Sequence, residues 1–169
     1  MLWEPWHGQG IEHLRLSAGL DGVLAESEVQ DEREGRSLRY HLRADARWRT
    51  RAVDVLLPGE HRALRLRGDG EGHWEDHPEL DGCLDIDLGW TPFTNTLPIR
   101  RQPEGGTVRA AWVGPDLAVE PLDQVYTPLG EGRWRYEAGE FSVELETDEH
   151  GLVLDYPGAW RRVRERVRG

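Results

Sequence analysis

The chain has 169 residues, a mass of 19.4 kDa, 21 basic against 32 acidic residues, a net charge of -11 and a pI near 5.1. This length fits one domain around one core, and an acidic chain repels phosphate backbones and anionic membrane surfaces, so no nucleic-acid partner is expected. All 21 basic residues are arginine, which removes Schiff bases, P-loop phosphate contacts and lysine general bases. Cys83 is the only cysteine, so no intramolecular disulfide forms, as suits a reducing compartment. The segment Met1 to His7 lacks the basic and apolar regions of a signal peptide. Apolar runs such as Val55-Leu56-Leu57 fall far short of the roughly 20 residues of a transmembrane segment. One cytoplasmic domain over residues 1–169 is the expectation.

Period-two alternation dominates the chain. From Ile11, Leu14 and Leu16 alternate with Arg15 and Ser17; Leu38, Tyr40, Leu42 and Ala44 oppose Arg39, His41 and Arg43. Further strands are predicted over 51–57, 62–67, 84–88, 107–113, 117–126, 133–138, 141–147 and 152–156, about ten or more in all, separated mostly by Gly, Pro or Asp turns. Short links imply antiparallel neighbours. In the hairpin from 133 to 147, Trp134, Tyr136, Phe141, Val143 and Leu145 share one face, and Arg133 and Arg135 oppose Ser142, Glu144 and Glu146 on the other under either of the two registers that keep the apolar face intact. The stretch 89–106, rich in Gly, Pro, Thr and Asn, reads as a structured crossover with room for one helical turn. Trp160, Val163 and Val167 at i, i+3, i+7 predict a short C-terminal helix. One such helix cannot cover a wide apolar sheet face, so the sheet must curl on itself. The expected fold is all-β: a single strongly curved antiparallel sheet, a half-barrel, whose concave side either holds a ligand or is filled by side chains.

The segment from Leu80 to Arg101, LDGCLDIDLGWTPFTNTLPIRR, resembles a bacterial family of glycolipid-binding proteins, with further similar blocks at 10–13, 48–51, 108–112, 124–126, 136–137 and 148–158. The resemblance spans about Trp6 to Trp160 and implies a curved antiparallel half-barrel like that of bacterial lipoprotein carriers, with an apolar concavity. Against that resemblance, the stretch Gln102 to Thr107 reads as shorter than the family pattern, and no export signal like that of lipoprotein carriers is expected.

The candidate ligand is an amphipathic small molecule, lipid or glycolipid-like. Arg100 and Arg101 offer guanidinium forks for an anionic head group, with ion pairs to Asp85 or Asp87 as their alternative use. Thr94, Asn95 and Thr96 suit sugar hydroxyls, or else hold loop backbone. Trp48, Trp90, Trp112, Tyr40, Tyr126, Tyr136 and Tyr156 supply flat surfaces, at least half of them expected in the core. Asp85 and Asp87, two apart on a strand, share a face expected to meet solvent. His73, His77 and Cys83 do not converge at their spacing, so no metal and no cofactor are expected. Four serines and no Gly-x-Ser-x-Gly elbow argue against nucleophilic hydrolysis. The alternative function is a small acid-base enzyme acting on an apolar molecule, with Glu12 or His13 as base.

Overall fold

A computed structural model describes residues 1–32 and 35–163. Its strands are β1 (Leu2–Pro5), β2 (Gly10–Gly19), β3 (Gly22–Asp31), β4 (Arg36–Ala44), β5 (Thr50–Leu57), β6 (Arg62–Arg67), β7 (Asp85–Leu88), β8 (Gly106–Val113), β9 (Val119–Gly130), β10 (Arg133–Ala138), β11 (Phe141–Thr147), β12 (Val153–Tyr156) and β13 (Trp160–Arg162). They form one sheet in the order β6-β5-β4-β3-β2-β1-β13-β12-β11-β10-β9-β8-β7. Tight links make almost every pairing antiparallel. β7 and β8 run parallel, because the connection between them is long enough to return along the sheet. That connection contains the helical segment expected within 89–106: a 3-10 turn, Phe93–Asn95, running into a helix, α1 (Thr96–Arg101).

The hairpin register follows the alternation: Trp134 faces Leu145, Tyr136 faces Val143, and Arg135 faces Glu144 and pairs with it at 3.3 Å. Three strands go beyond the expected set. β3 lacks an apolar signature because Ser27 and Asp31 share its buried face with Val23, Ala25 and Val29. β1 and β13 are too short to display a period, and they join the two halves through Trp3 opposite Arg162. The C-terminal helix is corrected for Trp160–Arg162, which pair with β1 and β12 as strand; the remainder of that segment lies outside the described residues.

The sheet stays open but curls until its two edge strands are bound by a single segment, 68–84. The Thr50 N–H donates to the Leu84 carbonyl at 3.3 Å, and the Ile86 N–H donates to Thr50 Oγ1 at 3.3 Å, tying the start of β5 to β7. Trp74, fully buried, donates its indole N–H to the Cys83 carbonyl at 2.8 Å within the same segment. Ile86, Leu88, Ala111 and Val113 therefore pack in one cluster with Val53, Val55 and Leu66 from the opposite end of the sheet. Ala110 and Ala111 point to opposite faces of β8 and both are fully buried, so β8 is covered on both sides. A second cluster gathers Ile99, Val108, Tyr126, Trp134, Tyr136 and Leu145. The crossover serves both: Phe93 and Leu97 pack into the first cluster and Ile99 into the second. Gly105, just before β8, has φ 76° and a Cβ there would lie 2.4 Å from the Tyr126 carbonyl oxygen, so only glycine fits where the crossover re-enters the sheet.

Thr50 is a test of the edge-to-edge link. Thr50→Val keeps the volume but leaves the buried Ile86 N–H without its acceptor, and should cost about 1–3 kcal/mol of unfolding free energy in urea denaturation. Thr50→Ser should recover most of that loss.

Candidate functional site

The concave face is not empty. Every residue from Thr91 to Ile99 is buried, so the crossover fills the middle of the curl and leaves a cleft of about 390 Å³ between itself and the β8–β13 side. Apolar side chains of Leu88, Leu122, Ala138 and Phe141 and the rings of Trp112, Tyr136, Tyr156 and Trp160 line it, with Asp87, Thr91 and Asn95 as its polar groups. Tyr136 is the hub of the ring cluster: its centroid lies 5.1 Å from Tyr126, 6.0 Å from Phe141 and 6.5 Å from Tyr156, in tilted or edge arrangements.

Asp87 sits at the floor of this cleft. Its Oδ2 accepts from Gln124 Nε2 at 2.6 Å and, at the long limit of 3.5 Å, from the Tyr136 hydroxyl; its Oδ1 accepts from Thr94 Oγ1 at 3.2 Å. Burial raises its carboxyl above the usual range, against the pull of these donors. Beside it the Tyr126 hydroxyl donates to Asn95 Oδ1 at 2.9 Å, and Asn95 Nδ2 donates to the Pro92 carbonyl at 3.2 Å. Burial holds the hydroxyls of Tyr126, Tyr136 and Tyr156 protonated, so each is available as a donor.

Asp85, two residues back on the same face, is 1% exposed and bonded by Arg101. Burial drives its carboxyl up and the guanidinium draws it back. The solvent face expected for Asp85 and Asp87 is thereby corrected, because the crossover packs on the side of β7 that a period-two reading assigns to water. Arg101 takes its alternative role, as Asp85's ion partner. Arg100, the next residue on α1, points elsewhere: it is exposed and stacks over Trp48 at 5.2 Å, in a separate groove with Leu16, Ala18, His150 and Leu152. The two arginines do not form one head-group fork.

Glu12 is fully buried, its Oε1 accepting from Tyr40 at 2.8 Å, Thr91 at 2.8 Å and Ser27 at 2.9 Å. Desolvation pushes its carboxyl up to about 7, partly opposed by these three hydroxyls. Glu12 does not line the cleft but stands behind Thr91, which does. His13, the adjacent residue, points to the opposite face, into a shallow outer groove with Arg15, Glu26, Glu28, Arg39 and His41. The two proposed bases therefore share no site.

Of the residues the sequence singled out, the structure brings Thr94, Asn95, Trp112 and Tyr126 together around Asp87. It removes Thr96 and Trp90 into the core, Trp48 and Arg100 to the separate groove, and His13 to the outer face. Sequence reasoning did not single out Gln124 or Thr91, named Phe141 only as part of a hairpin's apolar face, and named Asp87 only as an ion-pair partner on a face expected to meet solvent. Gln124 carried a signal, as a polar residue on the inward face of β9 between Leu122 and Tyr126. His73 and His77 pair separately with Asp81 and Glu79.

The fold and cleft define an all-β protein with one curled sheet and an aromatic cleft floored by a carboxyl. The chain belongs to the family described as "Putative glycolipid-binding", whose sequence model matches residues 1–162. It is also similar to the crystal structure of a DUF1089 family protein from Pseudomonas aeruginosa, at 37% identity and a TM-score of 0.76, covering 94% of this chain and 95% of that one. No curated protein matches it significantly. Among the described residues no helix is long and apolar enough to cross a membrane.

Two outcomes test these assignments. Arg101→Ala strands the buried Asp85 carboxyl and should cost about 3–5 kcal/mol, whereas Arg100→Ala, at an exposed position, should cost within about 1 kcal/mol in the same denaturation assay. Glu12 carries a pH signature. Between its ordinary value of 4.5 and about 7 the folded protein keeps the proton that the unfolded chain has released, so the folded state binds more protons and stability falls as pH rises. The fall is on the order of 3 kcal/mol across that window. Glu12→Gln should make that fall shallower, read by urea denaturation from about pH 4.5 to 7.5, with a remainder of the same sign from Asp85, whose carboxyl burial likewise pushes up to about 7, and from Asp87.

Proposed function

We propose that the protein binds an amphipathic ligand of glycolipid type in the cleft beside the crossover. The observation that carries this reading is the lining itself: an aromatic and aliphatic wall facing a small set of polar groups, Asp87, Asn95, Thr91 and the Tyr136 hydroxyl. Binding sites for small molecules combine largely apolar walls with a few placed polar groups that fix orientation. The polar head lies against Asp87, Asn95 and Thr91, where a carboxylate, an amide and hydroxyls meet hydroxyl groups of the ligand. The apolar part runs along Leu88, Leu122, Trp112 and Phe141, the last 50% exposed at the rim. The family's description as glycolipid-binding supports the same ligand class. This reading moves the head group from Arg100 and Arg101 to Asp87, because Arg101 is committed to Asp85 and Arg100 stands in another groove.

The acid-base alternative finds less support. Glu12 has a carboxyl near neutrality, but three hydroxyls enclose it and Thr91 separates it from the cleft.

Native mass spectrometry of the purified protein, followed by organic extraction, should recover an amphiphile. Ala138→Trp, which fills the cleft from β10, should lower affinity for an added alkyl glycoside at least tenfold in calorimetric titration, without a comparable loss of thermal stability.

A further inference from the structure

We infer that the head group held at Asp87 carries an ammonium, protonated or quaternary, in addition to whatever hydroxyls accompany it. This inference rests on the cleft reading above. The contrast between two carboxyls on one strand carries it. Asp85 and Asp87 share a face of β7, and the fold gives Asp85 a guanidinium but gives Asp87 three neutral donors, from Gln124, Thr94 and Tyr136. Among the described residues lining the cleft, Asp87 alone carries a formal charge. A carboxylate taken out of water without a cation is costly, and a cationic ligand supplies the missing partner from the cleft side.

The rings around it fit the same chemistry. Tyr136, Tyr156 and Phe141 form a contiguous cluster, and Trp112 lines the cleft with them. Aromatic faces attract ammonium groups through their quadrupoles, most strongly when the site is desolvated. An anionic head, whether phosphate, sulfate or carboxylate, would instead meet Asp87 with no cation among the described lining residues to offset it. The sign of the charge expected from Arg100 and Arg101 is thus reversed at this cleft.

The test compares octyltrimethylammonium, octyl glucoside and octyl sulfate below their micelle concentrations by calorimetric titration at about 0.3 M salt, where long-range attraction to the net charge of -11 is screened. The expected result is octyltrimethylammonium at least tenfold tighter than octyl glucoside, and no measurable sulfate binding. In Asp87→Asn, which keeps the side-chain shape, the ammonium-over-glucoside preference should fall to about unity. Tyr156→Phe should retain that preference and Tyr156→Leu should reduce it severalfold, with circular dichroism melts checking each variant's fold. Glucoside binding as tightly as the ammonium, or an ammonium preference that survives Asp87→Asn, overturns the inference while leaving the cleft reading intact. Failure of all three probes to bind overturns both.

Discussion

An open sheet with one wide apolar face has to hide that face from water, and the rest of this structure depends on how it does so. Among the described residues, thirteen strands offer far more apolar surface than the six-residue helix α1 can cover. Curling brings the β6 and β7 ends together through the 68–84 segment, and the crossover from Trp90 to Ile99 is swallowed by the curl. Burying that crossover carries polar backbone and side chains inward with it. Thr91, Thr94 and Asn95 are buried, and each finds a partner: Glu12, Asp87 and Tyr126. The polar network is thus a consequence of the packing solution, since most buried polar groups are hydrogen-bonded; Thr96 Oγ1 and the Trp90 indole N–H of the same crossover are buried without such a partner.

The same constraint shapes the cleft. Where Phe93 and Leu97 pack, the curl is filled; toward β9–β12 the crossover makes contact through Ile99 and Asn95, and beside that contact the rings of Tyr136 and Tyr156 line the cleft. Asp87 stands at that boundary. It is deep enough for burial to raise its carboxyl and open enough to meet a ligand, a combination more common at binding sites than in a structural core.

Glu12 illustrates the other outcome of burial. Strands β2, β3 and β4 bring Glu12, Ser27 and Tyr40 onto one inward face, and Thr91 of the crossover completes the set. Three hydroxyls on one oxygen bind the crossover to the sheet, and the cost of desolvating the carboxyl appears as a stability that declines toward neutral pH. This cluster links the well-packed half of the curl to the cleft through a single residue, Thr91.

Local periodicity alone determined that the chain is all-β, that its strands are mostly antiparallel, which side chains share a face of the 133–147 hairpin, the structured crossover at 89–106 and the need for curvature, while the choice between the two registers of that hairpin came from the tertiary structure. These follow from side-chain alternation and turn residues, which act over a few positions. β3 escaped because Ser27 and Asp31 break its apolar face, and they do so to serve partners that the sequence cannot place, such as Glu12 fifteen residues away. The direction of Asp85 and Asp87 was decided only by tertiary structure. Alternation says that they share a face, and whether that face meets water depends on the crossover that packs there. The same holds for Arg100 and Arg101: adjacent on a helix, they diverge by about 100°, so one enters the core beside Asp85 and the other stacks on Trp48. Sequence proximity brought them together on paper, and helical geometry separated them.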